Sequence, residues 1–178
     1  FEYKQDENVF KGDVAYKVSL RGLKGGHSGT QIHLGRANAN KLMNRFLKDV
    51  VANYEARLAS VNGGSLRNAI PRESFVVLSI PEQLSDDLID LVAEYESLFR
   101  EEYAGVEDGI SLKAELVDMP TSLIPEEIQD DLINSIEASP NGVISMLSDF
   151  QGVVESSLNL ALVESTEGKI EVKYLVRS

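Results

Sequence analysis

The sequence predicts an α+β fold: a two-layer sandwich with a mainly antiparallel sheet and helices on one face. Three observations carry this. Strand-like runs of period two follow one another without helices between them, and such neighbours pair antiparallel. The long helical stretches are apolar on one face only, so each must bury that face against another layer. The first elements run strand, helix, strand, strand, helix, strand, which is the split βαβ (ferredoxin-like) order, and an extra helix and further strands follow it.

Each element has its own warrant. Residues 14–21 alternate, with Val14, Tyr16, Val18 and Leu20 on one side and Lys17, Ser19 and Arg21 on the other. Residues 36–56 place Leu42, Met43, Phe46, Leu47, Val50 and Tyr54 on one helical stripe. Leu58 to Val61 reads as a short strand that stops at the turn signal Asn62-Gly63-Gly64-Ser65. Phe75 to Ile80 is a β-branched and aromatic run closed by Pro81. A second helix over about 82–103 carries Leu84, Leu88, Leu91, Val92, Tyr95 and Phe99 on one face. Its other face (Asp86, Asp87, Asp90, Glu94, Glu96) reads as solvated.

Leu112, Ala114 and Leu116 alternate with Lys113 and Glu115. Residues 125–138 form a shorter helix with Ile128, Leu132 and Ile136 in register, ended by Pro140-Asn141-Gly142. Residues 143–152 show no period and read as irregular. Leu158, Leu160 and Leu162, then Ile170, Val172, Tyr174 and Val176, form a hairpin turning at Ser165 to Gly168.

Composition removes whole classes of function. The 178 residues carry 17 Lys and Arg against 29 Asp and Glu, a formal net charge of −12. Phosphate-backbone binding needs clustered Lys and Arg, so no nucleic acid is expected as a partner. No apolar run approaches the ~18 residues of a membrane span, and no membrane is expected. The absence of cysteine removes thiol catalysis and disulfides and fits a cytoplasmic protein. Phe1 stands first and Ser178 directly follows a strand-like run, so both ends read as cuts from something longer.

The chemistry concentrates in two glycine-rich segments. In Gly25-Gly26-His27-Ser28-Gly29, glycines free the backbone for a tight loop and expose N–H groups able to hold an anion. His27 is the one side chain there that titrates near neutral pH. It reads either as a solvated loop histidine or as a polar group presented to a ligand. His33 reads as a residue capping or packing near the first long helix. Six residues separate the two histidines, unlike the i, i+4 pair of HExxH, so no self-contained metal site is expected.

The second segment is Gly63-Gly64-Ser65-Leu66-Arg67-Asn68-Ala69-Ile70-Pro71-Arg72. It reads either as a decorated turn or as an anchor for a substrate carboxylate or amide through Arg67 and Asn68. Arg177 closes the last strand and could grip a carboxylate bidentately, or be a plain surface arginine. Glu101-Glu102 and Glu126-Glu127 end and begin helices, which is structural. Ser28 is too close to His27 in sequence to form a triad with a separately oriented acid.

Taken together these segments resemble a known family. Gly22-Leu23-Lys24-Gly25-Gly26-His27-Ser28-Gly29, the Gly63–Arg72 block, Pro140-Asn141-Gly142-Val143, Val153 to Leu160 and Leu175-Val176-Arg177-Ser178 are similar to the lid, or dimerisation, domain of a di-zinc metallopeptidase family. That family includes carboxypeptidase G, carnosinase and succinyl-diaminopimelate desuccinylase, and its Xaa-His dipeptidases carry the nearest resemblance.

The resemblance implies a lid domain over residues 13–178, with residues 1–12 a boundary segment from the parent catalytic domain. It implies a parent metallodipeptidase hydrolysing Xaa-His dipeptides with two zinc ions, held in the catalytic domain and not in this fragment. It implies a homodimer through the lid, formed by the first long helix and an edge strand, with His27 reaching the partner's active site to stabilise an oxyanion. It places Asn68 near substrate and Arg177 on the substrate carboxylate, with Arg67 a further candidate for that role. The other reading is a non-catalytic ferredoxin-like module for ligand binding or homodimerisation.

Overall fold

The computed structural model describes residues 1–178. In chain order the elements are β1 (Asp13–Arg21), β2 (Gly26–His27), α1 (Ala39–Asn53), β3 (Arg57–Gly63), β4 (Ala69–Ile70), β5 (Ser74–Pro81), α2 (Ser85–Glu102), β6 (Ser111–Val117), α3 (Glu126–Ala138), β7 (Gly142–Met146), β8 (Val154–Thr166) and β9 (Lys169–Arg177). Seven strands form one antiparallel sheet in the order β6-β1-β5-β3-β8-β7, with β9 paired to β8. The run β6-β1-β5-β3 is the ferredoxin-like order the sequence predicts. The short strands β2 and β4 form a separate two-stranded ribbon.

One cluster of buried apolar side chains joins the sheet to all three helices, from Val18 and Leu20 through Phe46, Phe99 and Ile133 to Ile170. α1 lies between the other two helices and packs against both. Its Phe46 and the α2 ring of Tyr95 meet edge to face at 5.6 Å. α1 starts at Ala39, later than its periodicity suggests, because the Asn38 carboxamide caps Asn40 and Lys41. It ends at Asn53, and Glu55 then takes a left-handed φ of 54° that no helix continues through.

The strand nearest α1 in sequence is not a free edge. β8 pairs β3 at Asn62–Gly63, Gln129 Oε1 takes the Leu58 N–H, Ile124 N donates to Leu58 O, and Ser165 Oγ takes the Val61 N–H. β6, β7 and β9 are the outer strands of the sheet, each paired along one edge only.

Two readings of single segments change. Residues 143–152 hold strand β7, paired to β8 with two register shifts. Its Val143, Ile144 and Met146 are all exposed, so no alternation marks the strand. Glu96 does not belong to the solvated face of α2. It accepts from Leu112 N (2.8 Å) and pairs with Arg100 and Lys113, which closes the start of the β6 edge.

β8 carries β9 along one edge, while β3 and β7 share the other. Side chains fill the gap between them. Asn38 Nδ2 donates to Leu160 O (2.9 Å) and to Asn141 Oδ1 (3.1 Å), and Asn141 Oδ1 accepts from Leu160 N (2.9 Å). Residues 1–6 lie against the same body: Phe1 and Ile170 exchange backbone bonds, and Asp6 pairs with both Leu123 and the buried Arg57.

Asn38→Ala removes a helix cap worth about 1 kcal/mol and orphans the buried Leu160 carbonyl for about 1–3 kcal/mol more. Urea unfolding should show a loss of about 2–4 kcal/mol. Arg45 grips Glu102 through two bonds (2.6 and 2.8 Å), and these hold the Glu102 carboxyl below its ordinary value. That contribution is complete above the ordinary glutamate range and fades as pH falls through the lowered value. Glu102→Gln should therefore cost under ~1 kcal/mol at neutral pH, because the pair is solvent-screened, and nothing at acid pH, as read from unfolding curves at both.

Candidate functional site

The fold brings the two glycine-rich segments together. β2 and β4 pair antiparallel, Gly26 opposite Ile70 and His27 opposite Ala69. Ser28 N donates to Asn68 O at 2.9 Å. The loop that carries His27 is fixed at both ends by one buried carboxylate: Glu107 accepts from Lys24 N (2.8 Å) and Ala37 N (3.0 Å).

His27 is exposed, and its ring orientation is set by the loop itself. Nδ1 accepts from Gly29 N (3.0 Å) and Thr30 N (3.2 Å). A nitrogen accepting two N–H groups carries no proton, so the ring proton sits on Nε2 as an outward donor. The backbone is locked as well. His27 N donates to Gln31 Oε1 (2.8 Å), Gln31 N returns a bond to His27 O (3.0 Å), and Arg36 Nη1 donates to Gly25 O (2.6 Å). The anion nest expected of this loop does not form, since these N–H groups are spent on His27, Gln31 and Asn68. Donation to a ligand falls to the imidazole.

Arg177 comes to the same place from the far end of the chain. A Cβ built on Gly29 would lie 3.0 Å from Arg177 Nε and 3.1 Å from His27 Cε1. The imidazole and the guanidinium therefore flank one point in space. Arg177 is exposed and makes no ion pair or hydrogen bond. Arg67 and Asn68 are likewise exposed on the adjoining loop, with free side chains. Arg36 and Arg72 spend one donor each on the loop carbonyls Gly25 O and Leu23 O. None of these four arginines has a carboxylate partner, although the chain carries −12 overall. A small anion is what such a cluster attracts.

His33 lies outside this group. It sits exposed on a 3-10 turn at Ile32–Leu34, ahead of α1, and its side chain caps nothing. No cluster of three His, Cys, Asp or Glu side chains able to hold a metal ion exists in the chain. The zinc pair implied by the resemblance has no donor set among these residues. The site offers an imidazole N–H donor and guanidinium cations.

Gln31, Glu107 and Asn159 escaped sequence reasoning. Glu107 and Asn159 lie about 70 to 90 residues from the backbone they bind, and no local pattern signals such a bond. Gln31 offered a signal: a Gln four residues after a glycine-loop histidine is placed to bond back, as a capping box does.

Gly25 and Gly29 are glycines for different reasons, and substitution separates them. Gly25 has φ +63°, and a Cβ there meets Arg72 Cγ at 2.3 Å and Ile70 O at 2.9 Å. Gly25→Ala should lower the melting temperature by several degrees. Gly29 has no left-handed φ, so Gly29→Ala should melt within about 1 kcal/mol of the parent stability. Its methyl would still displace the Arg177 guanidinium or the His27 ring, visible as a changed histidine Cε1–H resonance.

The profile of the family described as the peptidase dimerisation domain matches residues 18–107. Over 172 residues the chain is 40% identical to the cytosol non-specific dipeptidase of Escherichia coli (strain K12), covering 97% of this chain and 36% of that protein. It superposes on the crystal structure of aminoacylhistidine dipeptidase from Vibrio alginolyticus with a TM-score of 0.96 and 40% identity, covering 100% of this chain and 36% of that one. The chain thus spans about a third of the length of these relatives. The resemblance carried by the glycine-histidine and Arg-Asn-Ala-Ile-Pro blocks is borne out, as is the α+β architecture. With the family profile covering half of its residues, the chain belongs to the peptidase dimerisation domain family.

Proposed function

We propose that this chain is the lid of a zinc metallodipeptidase that hydrolyses Xaa-His dipeptides, with residues 13–178 as the lid and residues 1–12 as the segment that leads in from the catalytic domain. The observation that carries the reading is the meeting of His27 and Arg177 at Gly29. A dipeptide has a carboxylate one residue beyond its scissile carbonyl. A guanidinium for the first and an N–H donor for the second must therefore stand side by side.

In this reading Arg177 binds the carboxylate bidentately, and Arg67 adds to the positive field that draws it in. Asn68 supplies amide donors and acceptors to the peptide unit. His27 Nε2–H donates to the carbonyl oxygen as it gains charge, the role of an oxyanion-hole donor. Because Nδ1 is already held by two N–H groups, the ring needs no reorganisation when that charge develops. The two zinc ions belong to residues outside this chain.

The relatives' names differ in breadth: one dipeptidase is non-specific and the other is named for aminoacylhistidine. We take Xaa-His dipeptides as substrates within that range. The E. coli relative is a cytosolic enzyme by name, and we assign the cytoplasm here. The family description supports a homodimer held through this domain.

In the full-length protein, His27→Ala should lower turnover on an Xaa-His dipeptide about 10²–10³-fold while metal content, read by elemental analysis, stays the same. Turnover near that of the parent would remove His27 from the reaction.

A further inference from the structure

Asn159 on β8 is 1% exposed, and nothing in the chemistry above uses it. Its Nδ2 donates to Ala69 O at 2.8 Å. Ala69 is the ladder partner of His27. On the other edge of β8, Asn159 faces Leu175 of β9, and Ser157 faces Arg177. No other hydrogen bond joins the β2–β4 ribbon to the main sheet. One carboxamide thus ties the ribbon that carries His27 to the strand pair that carries Arg177.

The same side chain breaks a rule of good packing. Asn159 Oδ1 is buried without a partner. A buried acceptor left unpaired costs stability, and an apolar side chain of the same shape would avoid that cost only by giving up the bond to Ala69 O. Local rules broken without a structural return point to a functional demand. Here the return is the placement of Ala69 and, through the ladder, of His27.

We propose that Asn159 is a positioning residue that fixes the separation of the His27 imidazole from the Arg177 guanidinium, and so selects substrates whose free carboxylate lies one residue beyond the scissile carbonyl. This rests on the reading of the chain as a dipeptidase lid. Loosening the ribbon leaves both groups present and lets their spacing drift. A substrate that needs both then loses more than a substrate that uses His27 alone.

The test compares a dipeptide with the same dipeptide as its C-terminal amide, using the full-length metal-loaded protein. The quantity read is the ratio of kcat/KM for the acid to that for the amide. The ratio is independent of how much of the protein is folded. Asn159→Leu exchanges the unpaired Oδ1 for an unpaired Ala69 carbonyl and should melt near the parent temperature, yet its ratio should fall about tenfold, mainly through a higher KM for the acid. Asn159→Ala should lower the ratio in the same way even if it melts earlier. Equal loss on both substrates in these variants would make Asn159 a purely structural residue and overturn the proposal. Arg177→Ala should bring the ratio close to unity. An unchanged ratio there would overturn the carboxylate reading of Arg177 itself, and the proposal with it.

Discussion

Asn38 stands where separate stretches of backbone meet, and the rest of the arrangement hangs on it. Its Oδ1 caps the first turn of α1 through Asn40 N and Lys41 N, while its Nδ2 reaches the Leu160 carbonyl on β8 and the side chain of Asn141. β8 must carry β3 and β7 on one edge, and the backbone between those partners would otherwise face neither strand nor water. A buried backbone group without a partner costs about as much as a lost hydrogen bond. Two carboxamides remove that cost and join the ferredoxin-like half to the α3–β9 half. The His27 loop ends at this junction, since Ala37 N is held by Glu107 one residue before Asn38. The site inherits its rigidity from it.

That rigidity has a chemical meaning. Acyl transfer at an amide develops charge on one oxygen, and a donor already aimed at it stabilises the transition state more than one that must turn. His27 is aimed by its own loop, with Nδ1 engaged and Nε2–H free. Arg177 approaches from the opposite end of the chain, and Gly29 leaves the space between them. The surrounding arginines lack acidic partners in a strongly acidic chain, which concentrates positive potential at this loop cluster, where the proposed function places the substrate carboxylate. In the proposed reading this domain contributes binding and charge stabilisation, and the activation of water falls to residues outside it.

Much of the fold was legible because it depends on local periodicity. β1, β5, α1 and α2 each bury one face, and their apolar residues repeat at the matching period. β7 was not legible: its exposed Val143, Ile144 and Met146 carry no alternation, and pairing with β8 alone makes it a strand. Glu96 looked like one more surface acid, because sequence does not show that the β6 edge folds back beneath it. At the site, glycine spacing and residue chemistry drew attention to His27, Arg67 and Asn68 without deciding between a ligand site and a decorated loop, and only the family resemblance gave Arg177 a role beyond that of a surface arginine. The anion nest read into the same glycines failed, because Gln31 and the imidazole reach those N–H groups first.

The sequence by itself determined the layers, the ferredoxin-like start and the residue types able to polarise a carbonyl or hold a carboxylate. These follow from interactions between near neighbours and from side-chain chemistry, both written along the chain. Only the tertiary structure decided that His27 and Arg177 share one site and that Asn159 and Glu107 hold the pieces in place. Those are contacts between residues tens to more than a hundred positions apart, and a one-dimensional pattern does not encode which distant backbone groups meet.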